Sequence, residues 1–157
     1  MKTVLLAKPL TRARLEEFAR QLDMPDLILP FWGYRKKMPM HHIVRLEGQG
    51  NYTIFHFADG RHLMVSLTLK KMESRLSPKV FVRPHKKNII NLLYLQGVHP
   101  EGASFGRMQL YASLVNGHRI EVSRRKATRF VKQVRGFQQE MQSLATLPLA
   151  IDTVLAA

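Results

Sequence analysis

The chain has 157 residues, 45 % of them apolar, which is enough for one domain with a buried core and short extensions. It contains no cysteine, and this excludes a disulfide framework, a thiolate metal site and a cysteine nucleophile. Lys and Arg number 25 against 11 Asp and Glu, for a formal net charge of +14. A field of this sign concentrates polyanions, so it favours nucleic acid as a partner, with an anionic membrane surface as the main rival.

The positive charge is concentrated in the second half of the chain. Residues 79–138 carry 12 Lys and Arg but only two acidic residues, a net charge of +10. No apolar run approaches the roughly 20 residues that cross a bilayer, and the apolar stretch at the N-terminus is too short for a signal peptide. We therefore expect a soluble, cytoplasmic protein that does not engage a membrane.

A short helix is predicted over residues 11–22. Thr11 is a suitable N-cap, and the apolar residues that follow recur at helical spacing: Leu15, Phe18, Ala19 and Leu22. Further along, Pro30 and Pro39 bracket a strand. Because proline cannot donate to a central ladder, we expect this strand at a sheet edge.

Strand patterns dominate from residue 43 onward. Ile43–Leu46 is a short apolar strand, and Gly48–Gly50 is predicted to be a loop. Two hairpins are then predicted, one around Asp59-Gly60 and one around Asn116-Gly117, because these dipeptides are typical of type I′ turns with positive φ at both central positions. The strands they join are residues 51–58 with 61–65 and residues 108–115 with 118–122.

Two helices interrupt the strands. Ser66 is predicted to cap the first, which ends before Pro78 and has one apolar face, Leu69, Met72 and Leu76. Ser123 is predicted to cap the second. Its core-facing stripe is Ala127, Phe130, Val131, Val134, Phe137 and Met141, and its opposite side carries Arg125, Arg129 and Lys132.

Three polar stretches lie between these elements, at residues 47–52, 81–88 and 122–126. Lys and Arg can donate to guanine acceptors, and Asn can pair with adenine in the major groove. Ser123 opens the last helix, and helix N-termini bind phosphate through free N–H groups. Each stretch alone is weak support for binding, since charged loops are usually just solvated.

Four segments occur in a fixed order and at characteristic spacing. They are I-V-R-L-E-G-Q-G-N-Y-T-I-F-H-F-A-D-G (43–60), S-L-T-L-K-K-M-E-S-R-L (66–76), F-V-R-P-H-K-K-N-I-I-N (81–91) and L-V-N-G-H-R-I-E-V-S-R-R (114–125). Together they resemble the LytTR family of bacterial DNA-binding domains, over residues 27–137. Residues 1–26 would then be an N-terminal extension with a short helix, and residues 138–157 a C-terminal tail.

This resemblance implies a mainly β fold. The family arranges small antiparallel sheets in an elongated way, with one inter-strand helix and a C-terminal helix, and it has no helix-turn-helix. The resemblance also implies that a transcription regulator of this type binds duplex DNA sequence-specifically, with its loops in successive major grooves on one face of bent DNA.

Individual roles are carried over by motif position. The resemblance implies base contacts by Asn51 and its neighbour Tyr52, by Lys86 and by Arg124. It implies phosphate contacts by Lys87 and Arg125. The family often has a small polar residue where Lys87 stands, so this protein would grip the backbone more strongly or read a different base. The 26 residues before the domain are too few for the receiver module of many relatives, so we expect no receiver domain.

Some of these side chains have a structural role as an equal alternative. His85 either touches DNA or orients its loop by hydrogen bonds. Tyr52 either faces DNA or packs under its loop. Glu47, at a strand end, is a candidate to hold Arg83 or Arg124 in place.

The sequence also bears on three other classes of function. The aspartates are dispersed, and the seven histidines lack metal-ligand spacing, so we expect no enzyme and no metal or cofactor. An RNA-binding sheet is the closer rival, with candidate stacking residues Tyr52, Phe55, Phe57 and Phe81. The apolar flanks, residues 11–22 and those beyond Gln142, could dimerise the protein on repeated DNA elements or dock on a sensor protein.

Overall fold

The computed structural model describes residues 4–5, 11–22, 24–31, 34–102 and 108–145. The strands are β1 Val4–Leu5, β2 Asp26–Phe31, β3 Tyr34–Pro39, β4 Ile43–Gln49, β5 Tyr52–Phe57, β6 His62–Val65, β7 Phe81–His85, β8 Asn88–Asn91, β9 Leu95–Gly102, β10 Met108–Leu114 and β11 Arg119–Val122. The helices are α1 Arg12–Gln21, α2 Leu69–Glu73 and α3 Ala127–Ala145. Within these ranges, no helix combines the length and the apolar character needed to cross a membrane.

The described strands pair in three antiparallel sheets. One has five strands in the order β6-β5-β4-β8-β7, one has four in the order β1-β9-β10-β11, and β2 pairs with β3. With α2 between strands and α3 after the last strand, this arrangement confirms the predicted mainly β fold. The predicted edge strand between Pro30 and Pro39 is β3, whose partner within the described residues is β2.

Both predicted hairpins are present, but their turns differ from the predicted type. The Phe57 carbonyl accepts from Gly60 N at 3.0 Å, while Phe57 N–H donates at 2.9 Å to the residue after that glycine. Leu114 makes the same pair of bonds around Gly117, at 2.9 and 2.8 Å. Each loop therefore has three residues and ends in a left-handed glycine, with φ of 89° at Gly60 and 85° at Gly117. The prediction of two-residue type I′ turns was wrong, because this loop class places its positive φ at the last residue.

The predicted loop at Gly48–Gly50 is also mostly strand. β4 continues to Gln49, and the chain reverses at Gly50 and Asn51, where Gly50 has a φ of 58°. Gly48 lies against α2, so that a Cβ at this position would come within 3.3 Å of the Leu69 side chain. The glycine here serves the close packing of helix on sheet rather than a turn.

One connected core joins all three helices to all three sheets. Its largest fully buried side chains include Phe18 of α1, Phe55 of β5, Met72 of α2 and Phe130 of α3. Asn91 is buried as well. Its amide donates to the Ile43 carbonyl at 2.8 Å, and its side-chain oxygen accepts from Leu93 N at 2.9 Å, so both polar ends are satisfied.

The helix starts match the sequence predictions only in part. Thr11 caps α1 as predicted, accepting from Arg14 N at 3.2 Å. The cap of α2 is Thr68, which accepts from Lys71 N at 3.3 Å, and not Ser66. Ser123 stands at the N-cap of the 3₁₀ turn Arg124–Lys126 that precedes α3, and it makes no side-chain capping bond.

The apolar stripe of α3 is confirmed. Phe130, Val131, Val134 and Phe137 are buried, while Arg125 before the helix and Arg129 and Lys132 on its other side are exposed. This stripe fixes the helix against β7 and thereby fixes the turn that precedes it.

Phe130→Ala should therefore lower the free energy of unfolding by about 3–5 kcal/mol, the usual cost of removing a buried phenyl ring. Urea unfolding followed by circular dichroism measures this change. Lys132→Ala, on the exposed side of the same helix, is the matched control and should stay within about 0.5 kcal/mol of wild type. Equal stability of the two variants would contradict the packing of α3 described here.

Candidate nucleic-acid interface

The three polar stretches meet at one edge of the molecule. β4 and β8 are antiparallel with Glu47 opposite Asn88, so the turns of the β4–β5 and β7–β8 hairpins lie side by side. Gly48 N donates to the Lys87 carbonyl at 2.8 Å and joins the two turns directly. On the far side, Ser123 N donates to the Pro84 carbonyl at 2.8 Å, which places the Arg124–Lys126 turn beside the end of β7. We call this the recognition edge: residues 49–52, 85–88 and 123–126.

The recognition edge presents unpaired positive charge. Lys86, Lys87, Arg124 and Arg125 are all exposed, and no carboxylate in the described part of the chain forms a salt bridge with any of them. Asn51 is exposed at the tip of the β4–β5 turn. The backbone fixes the positions of these residues, and their charged groups form no salt bridge within the described residues. They can therefore bind a polyanion.

The β7–β8 turn is held from two sides. His85 Nδ1 accepts from Lys87 N at 3.2 Å, and Arg83 Nη2 donates to the Lys86 carbonyl at 2.6 Å. Arg83 Nη1 is in turn bonded to Glu73 of α2 at 2.9 Å. These bonds favour the interpretation that His85 orients its loop, and they fix the direction in which the two lysines project.

The Arg124–Lys126 turn is tied to the same strand. Lys126 N donates back to the Ser123 carbonyl at 2.9 Å, and Lys126 Nζ donates to the Arg83 carbonyl at 3.4 Å. Burial and then the nearby Arg83 charge lower the pKa of Lys126, while Glu73 acts in the opposite direction. Lys126 thus supports the turn from behind, and Arg124 and Arg125 face outward.

A buried arginine connects the hairpins behind the recognition edge. Arg45 is 9 % exposed, and its Nε donates to His118 Nδ1 at 2.8 Å. Its Nη1 donates to Glu47 at 3.1 Å and to the Asn88 side-chain oxygen at 2.9 Å. The expectation that Glu47 holds Arg83 or Arg124 was therefore wrong, since its partner is the arginine two residues before it in β4.

Sequence reasoning did not find this arginine as a functional residue. The available signal was a cation inside the apolar segment I-V-R-L (43–46), because a charge in a buried strand requires hydrogen-bonding partners. Nothing in the local pattern identifies those partners, two of which lie 43 and 73 residues away.

His56 lies in the same cluster and is neutral at pH 7. Burial, followed by the Arg45 charge, lowers its pKa from 6.5 to about 4, although Glu47 acts in the opposite direction. The 3.6 Å contact between His56 Nε2 and Glu47 is therefore no ion pair at neutral pH. Burial also lowers the pKa of His118, with Arg45 as the second cause.

The four candidate stacking residues differ in exposure and do not form one open face. Tyr52 is 47 % exposed, which disfavours the alternative that it packs under its loop. Phe55 is fully buried, Phe81 is buried and Phe57 is half-buried. They belong to the core or pack against it, and the open aromatic face that an RNA-stacking sheet requires is not formed by these residues.

A basic β domain with three adjoining turns at one edge, two of which carry exposed cations, has the features of a nucleic-acid-binding domain. The family model described as the LytTr DNA-binding domain matches residues 35–135, and this chain belongs to that family. The fold is similar to that of the LytTr DNA-binding domain of a putative methyl-accepting/DNA response regulator from Bacillus cereus. The TM-score is 0.58 at 22 % identity, over 70 % of this chain and 96 % of that one.

Two curated relatives come from Paraburkholderia xenovorans (strain LB400). They are the heme-containing CO-sensing transcriptional regulators RcoM 1 and RcoM 2, to which this chain is 35 % and 37 % identical over 65 residues. The matched segment is 39 % of this chain and 24 % of each relative. The similarity therefore spans about a quarter of the length of these regulators.

The neutral state of His56 predicts a loss of stability in mild acid. Because its folded-state pKa is depressed, the unfolded chain binds the proton first, and stability should fall as the pH drops from about 6.5 to about 4. Each unit of pKa shift corresponds to about 1.4 kcal/mol. Below pH 4, His56 should therefore lower the free energy of unfolding by up to about 3 kcal/mol.

Urea unfolding at a series of pH values measures this dependence. His56→Gln should flatten the profile between pH 6.5 and pH 4, whereas His62→Gln, at an exposed position on the neighbouring strand, should keep the slope of wild type. If the profile of His56→Gln were as steep as that of wild type, His56 would not be the buried neutral group described here.

Proposed function

We propose that this protein binds duplex DNA sequence-specifically as a bacterial transcription regulator, without enzymatic chemistry. One observation carries the proposal: two backbone hydrogen bonds bring three turns to a single edge, where Lys86, Lys87, Arg124 and Arg125 are exposed without carboxylate partners. Membership of a DNA-binding family supports it. So does the description of the two named relatives as transcriptional regulators.

Within the recognition edge we assign base contacts to Asn51, Tyr52, Lys86 and Arg124. Asn and the cations can read base edges in the major groove, and Tyr52 is exposed at the end of the same turn. We assign phosphate contacts to Lys87 and Arg125, and to His85 we assign the orientation of the β7–β8 turn beside the DNA. Phosphate contacts set the register, whereas base contacts set the sequence.

The spacing of the three turns favours contact with more than one groove. Neighbouring strands are about 4.8 Å apart, so the β4–β5 and β7–β8 turns, two strand spacings from each other, are about 10 Å apart. The turn after β11 lies further on, beside the end of β7. Major grooves on one face of straight DNA recur about every 34 Å. The turns are therefore closer together than the grooves, and long side chains make up part of the difference. We propose that the DNA also bends toward the protein, at an elastic cost of about 1–6 kcal/mol.

The proposed DNA-binding domain comprises residues 27–137. Residues 1–26 would be an N-terminal extension, and residues 138–157 a C-terminal tail. We further propose that these flanks carry contacts to a second copy on repeated DNA elements or to a sensor protein, and that the protein acts in the cytoplasm.

Selection of bound duplexes from a random DNA pool tests the function directly. We expect an enriched motif with repeated elements, and competition for binding by excess duplex of that motif but not by structured or single-stranded RNA. A double variant, Lys86→Ala with Arg124→Ala, should lose enrichment while keeping its fold by circular dichroism. A pool without enrichment, or stronger competition by RNA than by DNA, would contradict the proposal.

Lys86 and Lys87 are neighbours and should nevertheless behave differently. Lys87→Ala should weaken specific and random duplexes about equally and make the slope of log K against log salt shallower by about one unit. Lys86→Ala should instead cost about 1–3 kcal/mol on the selected motif and relax the preference at one base pair. Fluorescence anisotropy over a salt series separates the two outcomes, and a base-specific effect of Lys87→Ala would show that the roles are reversed.

Groove phasing provides a further test. Inserting five base pairs between the contacted elements moves one of them to the far side of the duplex, so affinity should fall toward the non-specific level. Inserting the same five base pairs outside the contacted elements keeps their phase and spacing, and this duplex serves as the control. Gel mobility of the complex should report a bend. Unchanged affinity after five inserted base pairs, together with straight DNA, would contradict the multi-groove model.

A further inference from the structure

Asn88 follows Lys87 in the recognition edge, and its side-chain amide is held in one orientation. The side-chain oxygen accepts from Nη1 of the buried Arg45 at 2.9 Å. A guanidinium has donors and no acceptor, so the amide atom that faces it is the oxygen and not the nitrogen. Turning the amide over would place its NH₂ group against a buried donor, so this orientation is strongly favoured.

The amino group of this amide is accessible and free to donate. Asn88 is half-buried, and its Nδ2 has no hydrogen-bond partner among the described residues. The buried side-chain atoms without a partner in this part of the chain are His56 Nε2 and Arg83 Nε. Since Asn88 Nδ2 is not one of them, it keeps contact with solvent, where an acceptor on DNA can replace water.

Asn88 lies at the junction of two turns of the recognition edge. It closes the β7–β8 turn opposite His85, and on its other side it is opposite Glu47, near the end of β4. The Glu47 carboxylate accepts from Arg45 Nη1 at 3.1 Å, and this ion pair offsets its negative charge beside the amide. A duplex that contacts both turns therefore comes close to Asn88.

The side chains of the β7–β8 turn offer donors to DNA. Lys86 and Lys87 carry ammonium groups, which have no acceptor. His85 Nδ1 accepts from Lys87 N at 3.2 Å, so the ring proton is on Nε2, which is a donor too. Asn88 adds the Nδ2 of its fixed amide. A base that this turn recognises must therefore offer an acceptor.

In the major groove, the bases differ at one position in a way that a fixed donor can detect. Guanine O6 and thymine O4 are acceptors there, whereas adenine and cytosine carry NH₂ groups. The N7 acceptor is common to adenine and guanine and does not distinguish them. A donor in one orientation thus separates the keto bases, guanine and thymine, from the amino bases, adenine and cytosine.

We propose that Asn88 is a specificity-determining residue that donates from Nδ2 to the keto oxygen of guanine or thymine. This role rests on the proposed function and adds a base contact that exposed charge alone does not supply. An amino base at the same site would leave two donors facing each other, and Arg45 prevents the amide from offering its oxygen instead. Exchanging the keto base for an amino base should therefore weaken binding about fivefold or more.

Asn51 provides a contrast within the same edge. It is exposed at the tip of the β4–β5 turn, and its amide has no partner among the described residues. It can turn either way, and it can make the bidentate contact that asparagine forms with adenine. The two asparagines should therefore read different bases, because Arg45 holds the amide of Asn88 and not that of Asn51.

The test exchanges the donor for an acceptor of the same shape. Asn88→Asp keeps one oxygen on Arg45 Nη1 and presents its second oxygen where Nδ2 was. Duplexes are selected from a random DNA pool in parallel with wild type and with this variant. At one base pair, guanine or thymine should be replaced on the same strand by an amino base, above all by cytosine, whose N4 donates to carboxylates. The added negative charge should also lower the affinity for every duplex.

Fluorescence anisotropy at one ionic strength then compares duplexes that differ only at that pair. Asn51→Asp is the matched control, because it adds the same charge to the neighbouring turn. It should lower affinity as well, but it should keep the keto preference at the pair that Asn88 reads. Asn88→Ala removes the donor without supplying an acceptor, so the affinities for the four bases should differ by less than about twofold. Circular dichroism checks that each variant is folded.

The outcomes separate the base contact from the function that it serves. If Asn88→Asp selects the same base as wild type at every pair, or if the keto preference survives in Asn88→Ala, Asn88 only supports Arg45. The base contact is then refuted, and the proposed function stands. If wild type enriches no duplex, the proposed function fails and the base contact fails with it.

Discussion

The position of the recognition edge depends on the buried Arg45. A guanidinium taken out of water is unfavourable unless it is paired and fully hydrogen-bonded, and removing one partner of a buried charge typically costs about 3–5 kcal/mol. Arg45 meets this requirement with three side chains from three places: Glu47 of its own strand, Asn88 at the start of β8 and His118 at the β10–β11 turn. The need to satisfy one charge thus joins the five-stranded sheet to the β10–β11 hairpin. Because Asn88 directly follows Lys87, the same bonds fix the root of the β7–β8 turn.

Local features of this fold were predictable from the sequence, and contacts between distant residues were not. The hairpins and the α3 stripe follow from runs of a few residues, and a glycine at the end of a turn identifies its location. The turn class was missed because the residue before the dipeptide, Ala58 or Val115, completes a three-residue loop that the dipeptide alone does not reveal. The cap of α2 was predicted at Ser66 rather than Thr68 for a similar reason: both hydroxyls are suitable, and the local pattern does not show that Thr68 is the one that accepts from the N–H three residues on.

At the recognition edge, too, local features were predictable from the sequence and contacts between distant residues were not. The sequence predicted three polar turns and their cations, and the structure places these turns side by side. The partners behind them, Arg45 with His118 and Arg83 with Glu73, are separated by 73 and 10 residues, and local periodicity carries no information on such pairs. The alternatives for Tyr52 and Glu47 could not be decided from the sequence, because both depend on the direction in which a strand end presents its side chains.

The arrangement of charge explains why the turns need so much support. Lys86 and Lys87 are adjacent, as are Arg124 and Arg125, and the hydrogen bond between Ser123 and Pro84 brings the two pairs close together. Like charges at such range repel, and within the described residues no carboxylate forms a salt bridge with them. The free protein must therefore hold this edge against its own electrostatic repulsion, with backbone bonds, with Arg83 and His85 beneath one turn and with Lys126 beneath the other. A polyanion removes the repulsion without requiring the turns to move. The rigid backbone can then favour one spacing of contacts over others, while the charges themselves attract any duplex alike.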